Sequence, residues 1–296
     1  MGRDENRNVT REENPRGYIQ PACLEELWFH TGTACNLGCP FCLEGSGPGD
    51  DRIQFLLLED ARPLMDEAIE LGVKKFSFTG GEPFVNPHFP EILASALELR
   101  PCLVLTNGTD PLGNRWDRIL PLREKPNPLS FRVSLDHPDP EKHDASRGKG
   151  NFRKALETLG RLHQAGFGLS LARLASDVPD EAYRPFLEKA GLPPDTRIVT
   201  FPDLKPPGAS PEVPRITENC MTTYLTGEQR AAFMCNFSKM VVKIGGRVSV
   251  YACTLVDDDP GFDLGETLAE AMEKRVILKH HRCYSCFACG ASCSER

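Results

Sequence analysis

Residues Leu27–Cys42 read LWFHTGTACNLGCPFC and join a short apolar run to three closely spaced cysteines. The run Leu27–Thr31 is rich in bulky side chains, as short buried strands tend to be. The cysteines Cys35, Cys39 and Cys42 follow in one loop, separated by three and then two residues. Thiolates are the usual protein ligands of a [4Fe–4S] cluster, so three cysteines would leave one of its four irons open for chemistry. The stretch therefore predicts a strand followed by an iron–sulfur loop.

Outward from this stretch, short apolar runs alternate with longer amphipathic ones up to about residue 201. Such alternation predicts βα units around a parallel sheet, in an α/β fold. The stretches Leu58–Leu71 and Phe152–Ala165 repeat apolar residues at helical spacing and should pack on that sheet. Six strands are predicted: Leu27–Thr31, Lys75–Phe78, Leu103–Thr106, Phe131–Leu135, Leu169–Leu174 and Ile198–Phe201.

Five prolines and one glycine in residues 202–216 interrupt the pattern and predict a domain boundary. Beyond it, Met240–Ile244 and Arg247–Ala252 flank Gly245–Gly246 and predict a tight hairpin. One helix, Thr267–Lys279, is expected next. The expected domains are a polar N-terminal segment at 1–24, the main α/β domain at 25–215 and a C-terminal domain at 216–296.

Composition excludes several classes of function. The net charge is −7, so nothing favours binding to a nucleic acid backbone, which needs clustered lysine and arginine. We find neither a secretory signal nor a stretch of membrane-spanning length, and therefore expect a cytoplasmic protein without a membrane partner. Twelve cysteines in such a protein indicate metal binding or catalysis, because the cytosol keeps thiols reduced.

The cysteine loop resembles the hallmark of the radical S-adenosylmethionine (SAM) superfamily, including an aromatic residue, Phe41, before the last cysteine. The resemblance implies a partial (β/α)6 TIM-like barrel, which agrees with the six predicted strands. It also implies that the open iron chelates SAM, and that an electron from the cluster splits SAM into methionine and a 5′-deoxyadenosyl radical that takes hydrogen from a substrate carbon. Zinc held by the three cysteines and His30 is the alternative.

Four further places resemble SAM-binding positions of this superfamily. Gly80, Gly81, Glu82 and Pro83 look like its GGEP motif, which holds the ammonium of the methionine portion of SAM. An ordinary βα turn is the alternative for this segment, and polar residues are also common at strand ends. The remaining candidates for SAM contacts are Asn107 after the third strand, Ser134 and Asp136 after the fourth, and Arg147, which resembles the arginine that pairs with the SAM carboxylate.

The C-terminal cysteines resemble a Twitch domain, the shortened form of a SPASM domain. In that small α+β domain a hairpin and the following helix carry one auxiliary [4Fe–4S] cluster, whose expected use is electron transfer. Zinc is the alternative here too. The tail also has ferredoxin-like spacing, which leaves the number of auxiliary clusters at one or two. With Cys220 included, the region has seven cysteines, enough for one closed cluster and a second with an open iron. The expected metal ligands in this region are Cys235, Cys253, Cys283, Cys286, Cys289 and Cys293.

Other residues near these motifs receive structural interpretations. We expect His280 and His281 to cap the C-terminus of a helix, where positive charge is favoured. Cys23 and Cys102 are expected to be small buried residues rather than ligands.

The expected activity is hydrogen abstraction by a 5′-deoxyadenosyl radical, leading to oxidation or dehydrogenation of a small molecule. Because only about 25 residues precede the first strand, a small molecule is favoured over a leader-bearing peptide. The alternative is a peptide maturase that forms a cross-link, an oxidation or an epimer, for which Cys102 or Cys220 is a candidate hydrogen donor. A flavodoxin or ferredoxin would supply electrons. A non-catalytic iron–sulfur or zinc protein is the alternative of another class.

Overall fold

The structure is a computed structural model that describes residues 14–290. Ten strands are present there: β1 Tyr18–Ile19, β2 Glu26–His30, β3 Lys75–Thr79, β4 Cys102–Thr106, β5 Leu129–Ser134, β6 Gly168–Leu174, β7 Ile198–Phe201, β8 Ser238–Ile244, β9 Arg247–Tyr251 and β10 Val276–Ile277. The α-helices described are α1 Leu58–Glu70, α2 Phe89–Leu97, α3 Asp110–Gly113, α4 Trp116–Ile119, α5 Pro140–Arg147, α6 Asn151–Gln164, α7 Arg184–Lys189, α8 Glu218–Thr223, α9 Gly227–Ala231, α10 Met234–Phe237, α11 Leu268–Glu273 and α12 His281–Cys289.

The strands β2 to β7 lie side by side in chain order and are all parallel. This order confirms the α/β fold class and the six predicted strands, each within a residue or two of its expected limits. Successive strands are joined by helical crossovers, so their carboxyl ends meet along one edge. The residues that follow the strands are therefore brought together there.

Helices cover the outer face of the sheet. In α1, Ala61, Leu64, Met65 and Ala68 are buried, at helical spacing. Leu71, which the pattern placed on the buried face, is 40% exposed because the helix ends just before it. The buried side of α6 includes Phe152, Leu159 and Leu162, as the pattern indicated.

The hairpin of β8 and β9 joins the barrel sheet instead of forming a sheet of its own. Its turn, Gly245–Gly246, has positive φ at both residues, which glycine adopts without strain. Strand β8 lies parallel to β2, pairing Glu26 with Ser238 and Phe29 with Val241. The sheet thus has eight strands in the order β7-β6-β5-β4-β3-β2-β8-β9. The domain limits at residues 24 and 215 remain predictions.

The helix expected over Thr267–Lys279 is wrong in its second half. Helix α11 ends at Glu273, and Val276–Ile277 instead pairs antiparallel with Tyr18–Ile19. Val276 is only 3% exposed, so its burial in this two-stranded sheet outweighs local helix propensity. No helix within residues 14–290 is long and apolar enough to cross a membrane.

Candidate active site

A cavity of about 210 Å³ lies at the carboxyl ends of the parallel strands. Much of its wall is apolar and includes Leu105, Ala172, Leu174 and Phe201, and the rest is lined by polar residues and cysteines. Two residues of the predicted set, Glu82 and Pro83, do not line it and are buried behind it. The predicted site residues that do line it are Cys35, Cys39, Cys42, Gly80, Gly81, Asn107, Ser134, Asp136 and Arg147.

The three loop cysteines suit an iron–sulfur cluster better than a single zinc ion. Two sulfurs on one tetrahedral zinc lie about 3.8 Å apart, since each Zn–S bond is about 2.3 Å. Among the described residues, Cys35, Cys39 and Cys42 do not form a group with ligand atoms within 4.8 Å of one another. Burial raises the pKa of Cys35 to about 12 and also raises that of Cys39, so a bound cation is needed to hold them as thiolates.

A hydrogen-bond network joins the cysteine loop to the segment after β4. The Asn107 side-chain amide donates to Asn36 Oδ1 at 2.9 Å and lies 3.8 Å from Cys35 Sγ. The Asn36 amide in turn donates to Thr109 Oγ1, and the Thr109 hydroxyl donates to Asn107 Oδ1 at 2.6 Å. The backbone N–H of Leu37 also donates to Cys35 Sγ. Asn107 therefore orients the loop; Asn36 was missed because nothing in its local sequence indicates a partner 73 residues away.

The two glycines of the GGEP segment make room for the cysteine loop. A Cβ at Gly81 would lie 2.5 Å from the carbonyl oxygens of Thr33 and Ala34, and one at Gly80 would lie 2.6 Å from that of Gly32. The Gly81 N–H donates to the Gly32 carbonyl at 2.9 Å. Backbone packing thus requires glycine at both positions, independently of any bound ligand.

Glu82 is a buried connector between strands, with 1% of its surface exposed. Its carboxylate accepts hydrogen bonds from the Thr106 hydroxyl at 2.8 Å and the Asn107 N–H at 2.7 Å, and also from the Phe84 N–H. Burial raises its pKa to about 7, against the lowering effect of these donors. Glu82 does not line the cavity, so the part of this turn that borders the cavity is Gly80 and Gly81.

Asp136 and Arg147 form an ion pair at the cavity wall, in which the Arg147 Nε–H donates a hydrogen bond to Asp136 Oδ2. The guanidinium also lies over the Phe41 ring, 5.4 Å from its centroid, which ties α5 to the cysteine loop. The other Asp136 oxygen accepts the N–H of Leu174 at 3.3 Å. Arg147 binds Asp136 through Nε, so its two terminal nitrogens form a separate pair of donors at the cavity wall.

A second, much smaller cavity of about 20 Å³ gathers four of the C-terminal cysteines. Cys283 and Cys286 lie one turn apart on α12, Cys235 lies in α10, and Cys253 follows β9. The rest of the lining is almost entirely apolar. Burial raises the pKa of Cys283 to about 12 and raises those of Cys235 and Cys253, so these thiols also need a cation to become thiolates. Four cysteines would coordinate a [4Fe–4S] cluster fully.

The remaining candidate cysteines lie elsewhere. Cys289 is exposed, donates to the Ser285 carbonyl and does not line the four-cysteine cavity. Cys220 lies at the start of α8 beside Thr217, whose hydrogen bonds lower its pKa. Cys102 begins β4, four residues and about 13 Å from the end of that strand at the cavity. Neither candidate hydrogen donor, Cys102 nor Cys220, lines the main cavity. Cys293 lies outside the described residues.

Two expectations for residues outside the sites are wrong. Cys23 is exposed, not buried. His280 caps the N-terminus of α12, not a helix C-terminus, because its Nδ1 accepts the Arg282 N–H at 3.2 Å. Burial lowers the pKa of His280 to about 4, which keeps the ring neutral and able to accept. Cys102 is buried as expected.

His30 lies in a buried trio with Glu44 and Asp257, beside the cysteine loop. The Gly32 N–H donates to His30 Nδ1, so Nδ1 is the acceptor and the ring proton lies on Nε2. That N–H points toward Glu44 Oε2 at 3.3 Å and leaves Nε2 without a lone pair for a metal. The geometry argues against zinc bound by His30 and the three loop cysteines.

Arg282 connects the two cysteine sites and was not anticipated. It is 1% exposed, lines the four-cysteine cavity and donates to the backbone carbonyls of Leu43 and Leu255 at 3.1 and 3.0 Å. Leu43 directly follows Cys42, and Cys283 directly follows Arg282. An ion pair with Asp258 balances part of its charge. The sequence did not indicate this connecting role, because an arginine next to a cysteine is not a recognisable motif.

Comparisons with known proteins agree with this geometry. Residues 29–175 match the model of the Radical SAM superfamily. Over 162 residues the chain is 33% identical to the mycofactocin maturase MftC of Mycolicibacterium smegmatis, covering 53% of this chain and 38% of that protein. Over 146 residues it is 31% identical to AlbA, an antilisterial bacteriocin subtilosin biosynthesis protein of Bacillus subtilis, covering 49% and 32%. The chain thus spans well under half the length of either relative.

The fold resembles that of a solved structure, Streptococcus suis SuiB bound to S-adenosylmethionine. The TM-score is 0.63 over 85% of this chain and 64% of SuiB, with 13% sequence identity. At this low identity the likeness shows the fold alone, a TIM-like barrel with a parallel sheet.

Proposed function

Because the chain belongs to the Radical SAM superfamily, whose enzymes use a [4Fe–4S] cluster and SAM, we propose that it is a peptide maturase that oxidises or cross-links its substrate. The observation that carries this proposal is the cavity shared by three cysteines, the glycine turn and the Asp136–Arg147 pair. The cluster, when bound, supplies the electron that cleaves SAM to a hydrogen-abstracting radical.

The residues of this chain would hold and orient the cofactors as follows. Cys35, Cys39 and Cys42 bind the cluster from one loop, and Asn107 fixes that loop through Asn36. The Gly80–Gly81 turn presents backbone to the methionine ammonium. The Arg147 fork takes the carboxylate, while Asp136 holds the fork in place.

The apolar side of the cavity has a different task. Leu105, Ala172, Leu174 and Phe201 line it opposite the polar groups. Such a wall keeps water and other hydrogen donors away from a reactive species and leaves the substrate as its nearest hydrogen source. Four cysteines at the auxiliary site, Cys235, Cys253, Cys283 and Cys286, would leave a [4Fe–4S] cluster no open iron, which suits electron transfer rather than substrate binding.

Two observations favour a peptide over a small molecule. Two of the curated relatives, at 33% and 31% identity, are named as a mycofactocin maturase and a bacteriocin biosynthesis protein, which supports the peptide alternative; another, at 31% identity, is named a GTP 3',8-cyclase, which keeps a small molecule as the second candidate. Among the strands in residues 14–290, β7 pairs with β6 alone and forms one edge of the sheet. Phe201 and Pro202 at the end of this edge line the cavity, so an extended chain that follows the edge would reach it.

Formation of 5′-deoxyadenosine tests the catalytic part of the proposal. Anaerobically reconstituted protein, supplied with dithionite and SAM, should release it slowly without substrate. The variant with Cys35, Cys39 and Cys42 all replaced by alanine should release none. Product from that variant would disprove the site assignment, and absence of product from the wild type would indicate a non-catalytic metal protein.

Deuterium transfer tests the peptide part. Short peptides encoded beside the gene are synthesised with deuterium at their side-chain carbons and incubated with the enzyme and SAM. Deuterium in 5′-deoxyadenosine, together with a mass loss in the peptide, is expected. Transfer from a small-molecule metabolite and from none of the peptides would overturn the peptide assignment while leaving the radical SAM assignment intact.

A further inference from the structure

Lys239, on β8, is a fully buried cation beside the four-cysteine cavity. Its ammonium donates to the backbone carbonyls of Cys235 at 2.8 Å and Ser238 at 2.9 Å. An ammonium has three N–H donors, so one remains. Burying a charge is costly unless the charge is paired, which makes the identity of its partner informative.

No carboxylate in residues 14–290 lies within 4.0 Å of the Lys239 ammonium. Burial lowers the pKa of Lys239 to about 8, and the groups that oppose this effect are the thiolate forms of three cysteines, namely Cys235, Cys253 and Cys23. Two of these line the four-cysteine cavity. The buried ammonium therefore lies in direct contact with the backbone of Cys235, a cysteine of the cavity where negative charge appears only when thiolates bind a metal centre.

We propose that Lys239 is the counter-ion of the auxiliary [4Fe–4S] cluster and raises its reduction potential. The inference rests on the auxiliary cluster of the proposed function. A reduced cluster carries one more negative charge than an oxidised one, so a fixed neighbouring cation stabilises the reduced state more. In a dry cavity, water screens this effect little.

The chemical consequence is a direction for electron flow. A cluster that is easier to reduce is a better acceptor of an electron from a substrate radical. Arg282 is a second buried cation, which lines this cavity and should also raise the reduction potential, although Asp258 offsets part of its charge. The two cations together favour an oxidative outcome over a redox-neutral one such as epimerisation.

Redox titration of the auxiliary cluster tests the inference. The full chain is reconstituted anaerobically, and the midpoint potential is followed by electron paramagnetic resonance. The variant lacking Cys35, Cys39 and Cys42 identifies which signal belongs to the auxiliary cluster. Lys239→Met should retain the iron but lower the midpoint by at least the equivalent of a tenfold change in the reduction equilibrium, about 59 mV for one electron. Lys239→Arg should stay near the wild-type value.

Lys243→Met is the matched control. Lys243 lies on the same strand, four residues and about 13 Å further on, and pairs with Asp60 at 2.6 Å. Its removal should leave the auxiliary potential unchanged. The sign of the Lys239→Met shift separates charge from packing, because a loosened cavity that admits water would stabilise the reduced cluster and raise the potential.

Other outcomes also decide the question. An unchanged or raised potential in Lys239→Met would overturn the counter-ion role. If the neutral variants Lys239→Met and Lys239→Gln lose the auxiliary iron while Lys239→Arg keeps it, charge compensation is supported; loss in all three would overturn it. A wild-type chain with only one cluster, absent from the triple-cysteine variant, would instead disprove the auxiliary site itself.

Discussion

Replacing Gly81 by alanine tests whether the glycine turn exists to accommodate the cysteine loop. A Cβ at this position would lie 2.5 Å from the carbonyl oxygens of both Thr33 and Ala34. Real Cβ atoms essentially never approach another heavy atom closer than 3.0 Å, so these oxygens would have to move by about 0.5 Å or more. The φ angle of Gly81 is not positive, so the effect comes from space alone.

The expected cost follows from overpacking. Inserting a methyl group into a well-packed site typically costs about 1–3 kcal/mol. In a domain of 150–250 residues each kcal/mol lowers the melting temperature by about 2–4 °C, which predicts a fall of about 2–12 °C here. The displaced Ala34 carbonyl accepts the Glu82 N–H at 3.1 Å, and Cys35 is the next residue. Iron binding by the loop should therefore fall as well.

Two measurements on Gly81→Ala check this reasoning. Thermal unfolding of the cluster-free protein, followed by circular dichroism, gives the stability change, and iron analysis after anaerobic reconstitution gives the occupancy of the loop. Gly113→Ala is the control, because no atom lies within 4 Å of its Cβ position and its φ is not positive. If Gly81→Ala melts and binds iron as the wild type does, the packing explanation for this glycine is refuted.

Three further predictions concern charge and ligation. Burial raises the pKa of Glu82 from its ordinary 4.5 to about 7, so the contribution of Glu82 to the stability of the cluster-free protein is fully present below pH 4.5 and falls by up to about 3 kcal/mol as the pH rises to 7. Urea unfolding of Glu82→Gln should lack this dependence, and a wild-type profile in the variant would contradict it. Arg147→Lys keeps the charge but loses the fork, so calorimetry on the reconstituted protein should show SAM binding at least about tenfold weaker; unchanged affinity would remove Arg147 from the carboxylate site. Cys286→Ser should lower the iron content from about eight to about four per chain, whereas Cys289→Ser, one turn further along α12, should leave it unchanged; equal losses would place Cys289 in the cluster.

Much of the architecture follows from local sequence. The six parallel strands are short apolar runs, and their alternation with amphipathic stretches is enough to predict an α/β barrel-like sheet. The cysteine spacing at Cys35, Cys39 and Cys42 likewise indicates an iron–sulfur loop. These features depend on neighbouring residues in the chain, so they can be read without knowing the tertiary structure.

The sequence indicated less about how the site residues act. Glu82 occupies the expected position in its motif, but its four hydrogen bonds turn it away from the cavity toward Thr106 and Asn107. The pairing of Asp136 with Arg147 was also not foreseen. The Glu82 bonds depend on the approach of two loops 25 residues apart, and the Asp136–Arg147 pair depends on how α5 folds back over the end of β5.

Local sequence by itself determined the order of strands and helices, the cysteine loop and the turn that follows β3, because hydrophobic period and residue spacing act over a few residues. Only the tertiary structure decided that β8 adds to the barrel sheet beside β2, that four of the C-terminal cysteines share one cavity without Cys289, and that Lys239 is buried against them. The pairing of β2 with β8 and the gathering of α10, Cys253 and α12 join segments that are distant along the chain, and the burial of Lys239 depends on the sheet around it. The stability of these contacts comes from burial and charge pairing, which no local pattern encodes.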